Sequence, residues 1–145
     1  MTDQTSTATT STNSSTVEAF LFALRDQDFV TADALLADDL VYENVGLPTI
    51  RGRARAMKLF RAMEGRAGFD VKFHRIAEEG AVVLNERTDA LIFGPLRVQF
   101  WVCGVFEVHD GRITLWRDYF DAFNMVKATV RAFAALAVPA LRPRF

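Results

Sequence analysis

Cysteine occurs once in this 145-residue chain, as Cys103, and histidine twice, as His74 and His109. One cysteine excludes an intrachain disulfide and suits a reducing compartment, so a cytoplasmic location is expected. Two histidines are too few for a multi-histidine metal site. Charge of one sign is also lacking: 17 basic residues stand against 18 acidic, which leaves no electrostatic footprint for a nucleic-acid backbone. No apolar run approaches the roughly 18–20 residues needed to span a bilayer. The first residues carry neither a basic stretch nor an apolar one, so no secretory signal is expected. Tryptophan and tyrosine are scarce too, at two each, whereas phenylalanine occurs 13 times. Phenylalanine adds apolar bulk without a polar handle, enough for a core and for the walls of a pocket.

Met1 to Ser14 is mostly Ser and Thr, with almost nothing to bury, and reads as a disordered tail before one domain over 15–145. Ser15-Thr16-Val17-Glu18 fits a capping box, followed by Val17, Phe20, Leu21 and Leu24 at helical spacing up to about Asp26. Asp28 is placed to cap a second short helix with Phe29, Ala32, Leu35 and Leu36 inward. Leu40 to Asn44 reads as a short strand, and Gly46, Pro48 and Gly52 punctuate the loop after it. Arg53 to Arg66 is rich in helix formers, with Met57, Phe60 and Met63 as a packing stripe. From Phe69 the period changes to two. Strands are expected over Phe69–Ala77, Ala81–Phe93, Leu96–His109 and Arg112–Asp121, with tight turns at Gly94-Pro95 and Asp110-Gly111. A last helix is expected over Ala122–Ala137. Helices followed by an antiparallel meander define an α+β fold, with helices covering one face of a curved sheet.

Residues two apart on a strand share a face. Trp116, Asp118 and Phe120 therefore point together, as do Val83, Asn85, Arg87, Asp89 and Leu91, and Leu40, Tyr42 and Asn44. Each set mixes polar groups with apolar neighbours. Arg87 and Asp89 alone read as solvent-facing, while the aromatic neighbours of Asp118 argue for burial. A structural ion pair and a polar cluster at the bottom of an apolar pocket both remain open on the pattern. Two carboxylates sharing one arginine suit acid–base work, since one can hold a proton while the other ionises. Tyr42 and Asn44 are placed to fix a water. His74, on a face with Asp70 and Lys72, and His109, beside a turn, read as exposed. Cys103, among Trp101, Val102 and Val105, reads as a small core residue rather than a nucleophile. Phe123, Met125, Val126 and Phe133 are candidates for capping a pocket or an interface.

Tyr42-Glu43-Asn44, Glu86-Arg87-Thr88-Asp89, Gly104-Val105-Phe106 and Trp116-Arg117-Asp118-Tyr119-Phe120-Asp121, in that order and spacing, resemble the limonene-1,2-epoxide hydrolase family over about Val17 to Met125. The resemblance implies the cone-shaped α+β fold shared with ketosteroid isomerase and scytalone dehydratase. It implies Asp118 as the base that deprotonates water, Tyr42 and Asn44 as residues holding that water, Asp89 as the acid that protonates the epoxide oxygen, and Arg87 as the bridge between the aspartates. It implies one concerted step to a vicinal diol without metal, organic cofactor or covalent enzyme ester. Leu91, Phe100, Val102, Phe120 and Met125 would form pocket wall, and the protein would be a homodimer. Glu43, where family members can carry Gln, and the Val45-Gly46-Leu47-Pro48 loop depart from the family pattern. Gly46 in that loop and the Phe-rich walls point to a roomy site for a lipophilic epoxide such as a terpene, sterol or fatty epoxide. Two other functions fit the same pattern: an isomerase or dehydratase of the same fold, and a non-catalytic binder of lipophilic ligands.

Overall fold

The structure, a computed structural model, describes residues 12–145. Helix α1 (Asn13–Arg25) starts earlier than the capping box suggests. Thr12 is the N-cap, its hydroxyl accepting from the Ser15 amide at 3.1 Å, and the Ser15 hydroxyl donates back to the Thr12 carbonyl. Asn13 and Ser14 are tied to the sheet: Asn13 Nδ2 donates to the Gly80 carbonyl, and the Ser14 amide and hydroxyl donate to Glu78. These long-range partners, invisible in a Ser/Thr-rich string, move Thr12–Ser14 out of the expected tail and into the fold. Residues 1–11 of that tail lie outside the described residues.

Helix α2 (Phe29–Ala34) is capped by Asp28 as expected, with Thr31 donating to its carboxylate through both amide and hydroxyl. Strand β1 (Leu36–Asn44) begins four residues before the expected Leu40, because a register shift between Leu36 and Val41 breaks the alternation there. Strand β2 (Ile50–Arg51) leads into α3 (Arg53–Ala62), which stops short of Arg66 in a turn where Gly65 takes φ +74°. Strands β3 (Gly68–Glu79), β4 (Val82–Phe93), β5 (Leu96–His109) and β6 (Arg112–Phe120) then form the meander, followed by α4 (Ala122–Ala137). The β5–β6 turn has both Asp110 and Gly111 at positive φ, the backbone twist a two-residue hairpin needs.

The strand order is β2-β1-β6-β5-β4-β3. Every neighbour is antiparallel except β1 and β6, which run parallel with Tyr42 opposite Trp116 and Asn44 opposite Asp118. Val17, Phe20 and Leu21 of α1 and Ala56, Met57 and Phe60 of α3 pack with Leu40, Val83, Phe106 and Trp116 of the sheet to form the main core. Ala128 and Ala132 let α4 lie close against Val98 of β5 at the other end of the same face. The opposite sheet face leaves Leu84, Trp101 and Tyr119 exposed. Cys103 belongs to that outer face, partly exposed and paired in register with Glu86 and Tyr119. It is therefore not a core residue, and partial burial followed by the Glu86 charge pushes its thiol up, away from reactivity.

Candidate active site

The strand register lays out the site in rows. One row across β4, β5, β6 and β1 reads Asn85, Gly104, Asp118, Asn44, and the row beside it reads Val83, Phe106, Trp116, Tyr42. The second row is apolar and largely aromatic: Trp116 stacks on Tyr42 at 4.2 Å between ring centroids and on Phe106 at 5.7 Å. The first row is polar and is completed by Arg87 and Asp89, further along β4.

Arg87 is fully buried, and Asp89 and Asp118 nearly so. The solvent-facing expectation for Arg87 and Asp89 is thus overturned. Read as a pair they look solvated, but Asp118 arrives from β6 as a third charge that permits burial. Arg87 Nε and Nη2 grip Asp89 at 2.8 and 3.1 Å, and Nη2 also donates to Asp118 at 2.5 Å. Trp116 Nε1 donates to the other Asp118 oxygen at 2.8 Å. Taking such ions from water costs several kcal/mol each, by order of magnitude, and the shared guanidinium offsets it. Burial is the largest influence on both carboxyls and raises them, with Arg87 acting in the opposite direction. Asp89 is pushed up to about 6, with the Asp118 charge adding to the rise. Burial, and then the Asp118 charge, also raises the Tyr42 hydroxyl, so it remains a protonated donor.

A cavity of about 360 Å³ opens onto this cluster. Tyr42, Asn44, Asp89 and Asp118 supply its polar end, and the expected wall residues Leu91, Phe100, Val102, Phe120 and Met125 all line it. Arg87 does not reach the cavity. The structure adds wall residues that the sequence did not single out for this role. Phe60 and Met63, read as a packing stripe, line the cavity with Leu24, Phe29, Leu47 and Phe69. Helix-to-sheet distance carries that information, and local periodicity does not. Met125 reaches the cavity because α4 starts directly after β6, with Asp121 capping the Phe123 and Asn124 amides. Phe123, Val126 and Phe133 point away from it and are exposed. His74 is exposed and bonded to Thr88, and neither histidine lines the cavity. Among the described residues, no group of three or more His, Cys, Asp or Glu side chains is placed to hold a metal ion. No helix among them is long and apolar enough to cross a membrane.

A six-stranded, mostly antiparallel sheet covered by helices on one face, with an apolar cavity between them, has the ketosteroid isomerase-like fold. A protein of that fold from Catenulispora acidiphila superposes with a TM-score of 0.69 at 15% identity, over 79% of this chain and 92% of that one, which speaks to the fold alone. The limonene-1,2-epoxide hydrolase catalytic domain matches residues 11–131. The chain is 67% identical over 126 residues to the epoxide hydrolase EphG of Mycobacterium tuberculosis, covering 87% of this chain and 85% of that protein. The structure of a limonene-epoxide-hydrolase-like epoxide hydrolase from M. tuberculosis matches with a TM-score of 0.90 at 63% identity, over 92% of this chain and 95% of that one. This chain belongs to the limonene-1,2-epoxide hydrolase family.

Proposed function

We propose that this protein is a cofactor-independent epoxide hydrolase that adds water to a lipophilic epoxide. The observation that carries the reading is the Asp89–Arg87–Asp118 bridge at the one polar end of an otherwise apolar cavity. Family membership and the relative named as an epoxide hydrolase support the reaction class.

In this reading Asp118 is the base. Its two oxygens accept from Trp116 and Arg87, which leaves a lone pair for a water proton. Tyr42 and Asn44 orient that water. The water oxygen forms a bond to one epoxide carbon while the carbon–oxygen bond of the ring breaks. The water proton goes to Asp118, and the proton held on Asp89 goes to the leaving oxygen, so one water and one epoxide give one vicinal diol. Arg87 stays charged throughout and lets one proton serve two carboxyls. Leu91, Phe100, Val102, Phe120 and Met125 hold the lipophilic body of a terpene, sterol or fatty epoxide. We place the protein in the cytoplasm as a homodimer, as its lone cysteine and family resemblance imply.

The test is an epoxide panel with diol detection on the wild type, Asp118→Asn and Asp89→Asn. Both variants are expected to keep the fold and lose roughly a thousandfold or more in kcat/KM. In a single turnover in heavy-oxygen water the label should enter the diol. Label in an aspartate side chain, or variants with wild-type turnover, would sink the reading.

A further inference from the structure

Arg87 has more than two partners. Of its five N–H donors, three bonds go from Nε and Nη2 to the aspartates, and Nη1 donates to Asn85 Oδ1 at 2.8 Å. The Phe106 ring lies 6.0 Å from the guanidinium carbon. Asn85 is two residues before Arg87 on the same face of β4, only 5% exposed, and does not line the cavity.

Two observations set Asn85 apart from an ordinary core residue. Its amide nitrogen has no hydrogen-bond partner, so the side chain carries a burial cost that an apolar residue of the same size would avoid. Its neighbour in register is Gly104, which also pairs with Asp118 on the other side. A Cβ on Gly104 would sit 2.4 Å from Arg87 Nη1, 2.8 Å from Asn85 Oδ1 and 3.1 Å from Asp118 Oδ1. Gly104 is thus the gap in which the arginine, the amide and the base meet. Here φ is not the reason for glycine; space is.

We propose that Asn85, with Gly104 beneath it, is a positioning residue that fixes the Nη1 corner of Arg87, so that the guanidinium presents Nε and Nη2 to the two aspartates. A neutral acceptor suits that corner. With one proton shared between Asp89 and Asp118, the cluster of one cation and one net anion is neutral, and an amide holds the third corner without adding charge. A carboxylate there would set three acids on one guanidinium and raise all of them.

The inference rests on the hydrolase reading above. Its test measures kcat, KM, the pH profile of kcat/KM and thermal unfolding for the wild type, Asn85→Leu, Asn85→Asp and Gly104→Ala, with Asp118→Asn alongside. Asn85→Leu removes the acceptor while keeping the branched shape of the side chain. It should lower kcat roughly tenfold or more, as a misplaced catalytic group does, with KM within about threefold because the cavity wall is untouched. Gly104→Ala should reproduce that loss, and the double variant should lose little more, since both act on one group. Asn85→Asp keeps the shape and the acceptor. It should recover kcat to within a few-fold at its own optimum, with the pH profile shifted upward. A folded Asn85→Leu with unchanged kcat and pH profile overturns the proposal. If Asn85→Leu does not fold, an Asn85→Asp enzyme with no upward shift overturns it instead. Asp118→Asn separates the two claims: if it is inactive the hydrolase reading stands whatever Asn85 does, and if it is active that reading itself has failed.

Discussion

Asp89 and Asp118 both hold protons above the ordinary carboxylate range, and burial is the main cause in each. The sign of the pH dependence follows from their proposed roles. Asp89 must be protonated to act as acid, and it is raised to about 6. Raising the pH removes the proton, so kcat/KM should fall on the alkaline side of the optimum. Because the two carboxyls interact through Arg87, the midpoint of that fall belongs to the pair. A pH series on one good substrate checks this, and a rate that is flat or rising from pH 6 to 9 contradicts it. At this scale the sequence is informative about identity and poor about environment. The alternation on β6 marked Asp118 as buried between Trp116 and Phe120. The same alternation on β4 left Arg87 and Asp89 looking solvated, because their third partner is 31 residues from Arg87 along the chain. Asn85 shared their face, but its bond to Nη1 and the close approach over Gly104 need three strands in register to be seen.

Elements were legible where they are regular. The four long strands, α2 and α4 follow their patterns to within about two residues, since alternation and helical spacing report burial on one side. Each misplacement has its own cause: the register shift in β1, the Gly65 turn after α3, and the long-range contacts of Asn13 and Ser14 with Gly80 and Glu78. The outer sheet face carries the dimer proposal. Leu84, Trp101 and Tyr119 stay exposed there across three neighbouring strands, with Cys103 between Glu86 and Tyr119. Exposed apolar and aromatic side chains interspersed with Glu86 and Arg117 on an uncovered sheet face are the kind of surface a second copy buries. Sedimentation should therefore give twice the 16.3 kDa of one chain. Trp101→Glu, which also sets a second carboxylate beside Glu86, should shift the protein toward monomer. A wild type that sediments at the mass of one chain contradicts the proposal.

At the scale of the whole molecule, the cavity and the core are not separate compartments. Phe20, Phe60, Tyr42 and Trp116 form one aromatic cluster that joins α1 and α3 to the sheet. Three of its members, Tyr42, Phe60 and Trp116, are also cavity wall. On the other side the wall is Leu47, 59% exposed in the loop after β1, which packs against little. What the sequence could not show is this sharing. It arises because the parallel β1–β6 pairing brings Tyr42 beside Trp116 while α3 folds back over both. Enlarging the cavity should therefore have two different costs. Phe60→Ala removes a ring that is 8% exposed and should destabilise the protein by about 3–5 kcal/mol. Leu47→Ala should stay within about 0.5 kcal/mol of the wild type. Both should raise kcat/KM for bulky epoxides relative to compact ones, because each opens the same cavity. Denaturant unfolding with the epoxide panel checks both halves. Equal stability losses would show that the aromatic cluster does not anchor the helices to the sheet. An unchanged bulky-to-compact ratio in Leu47→Ala would show that the loop after β1 does not bound the substrate.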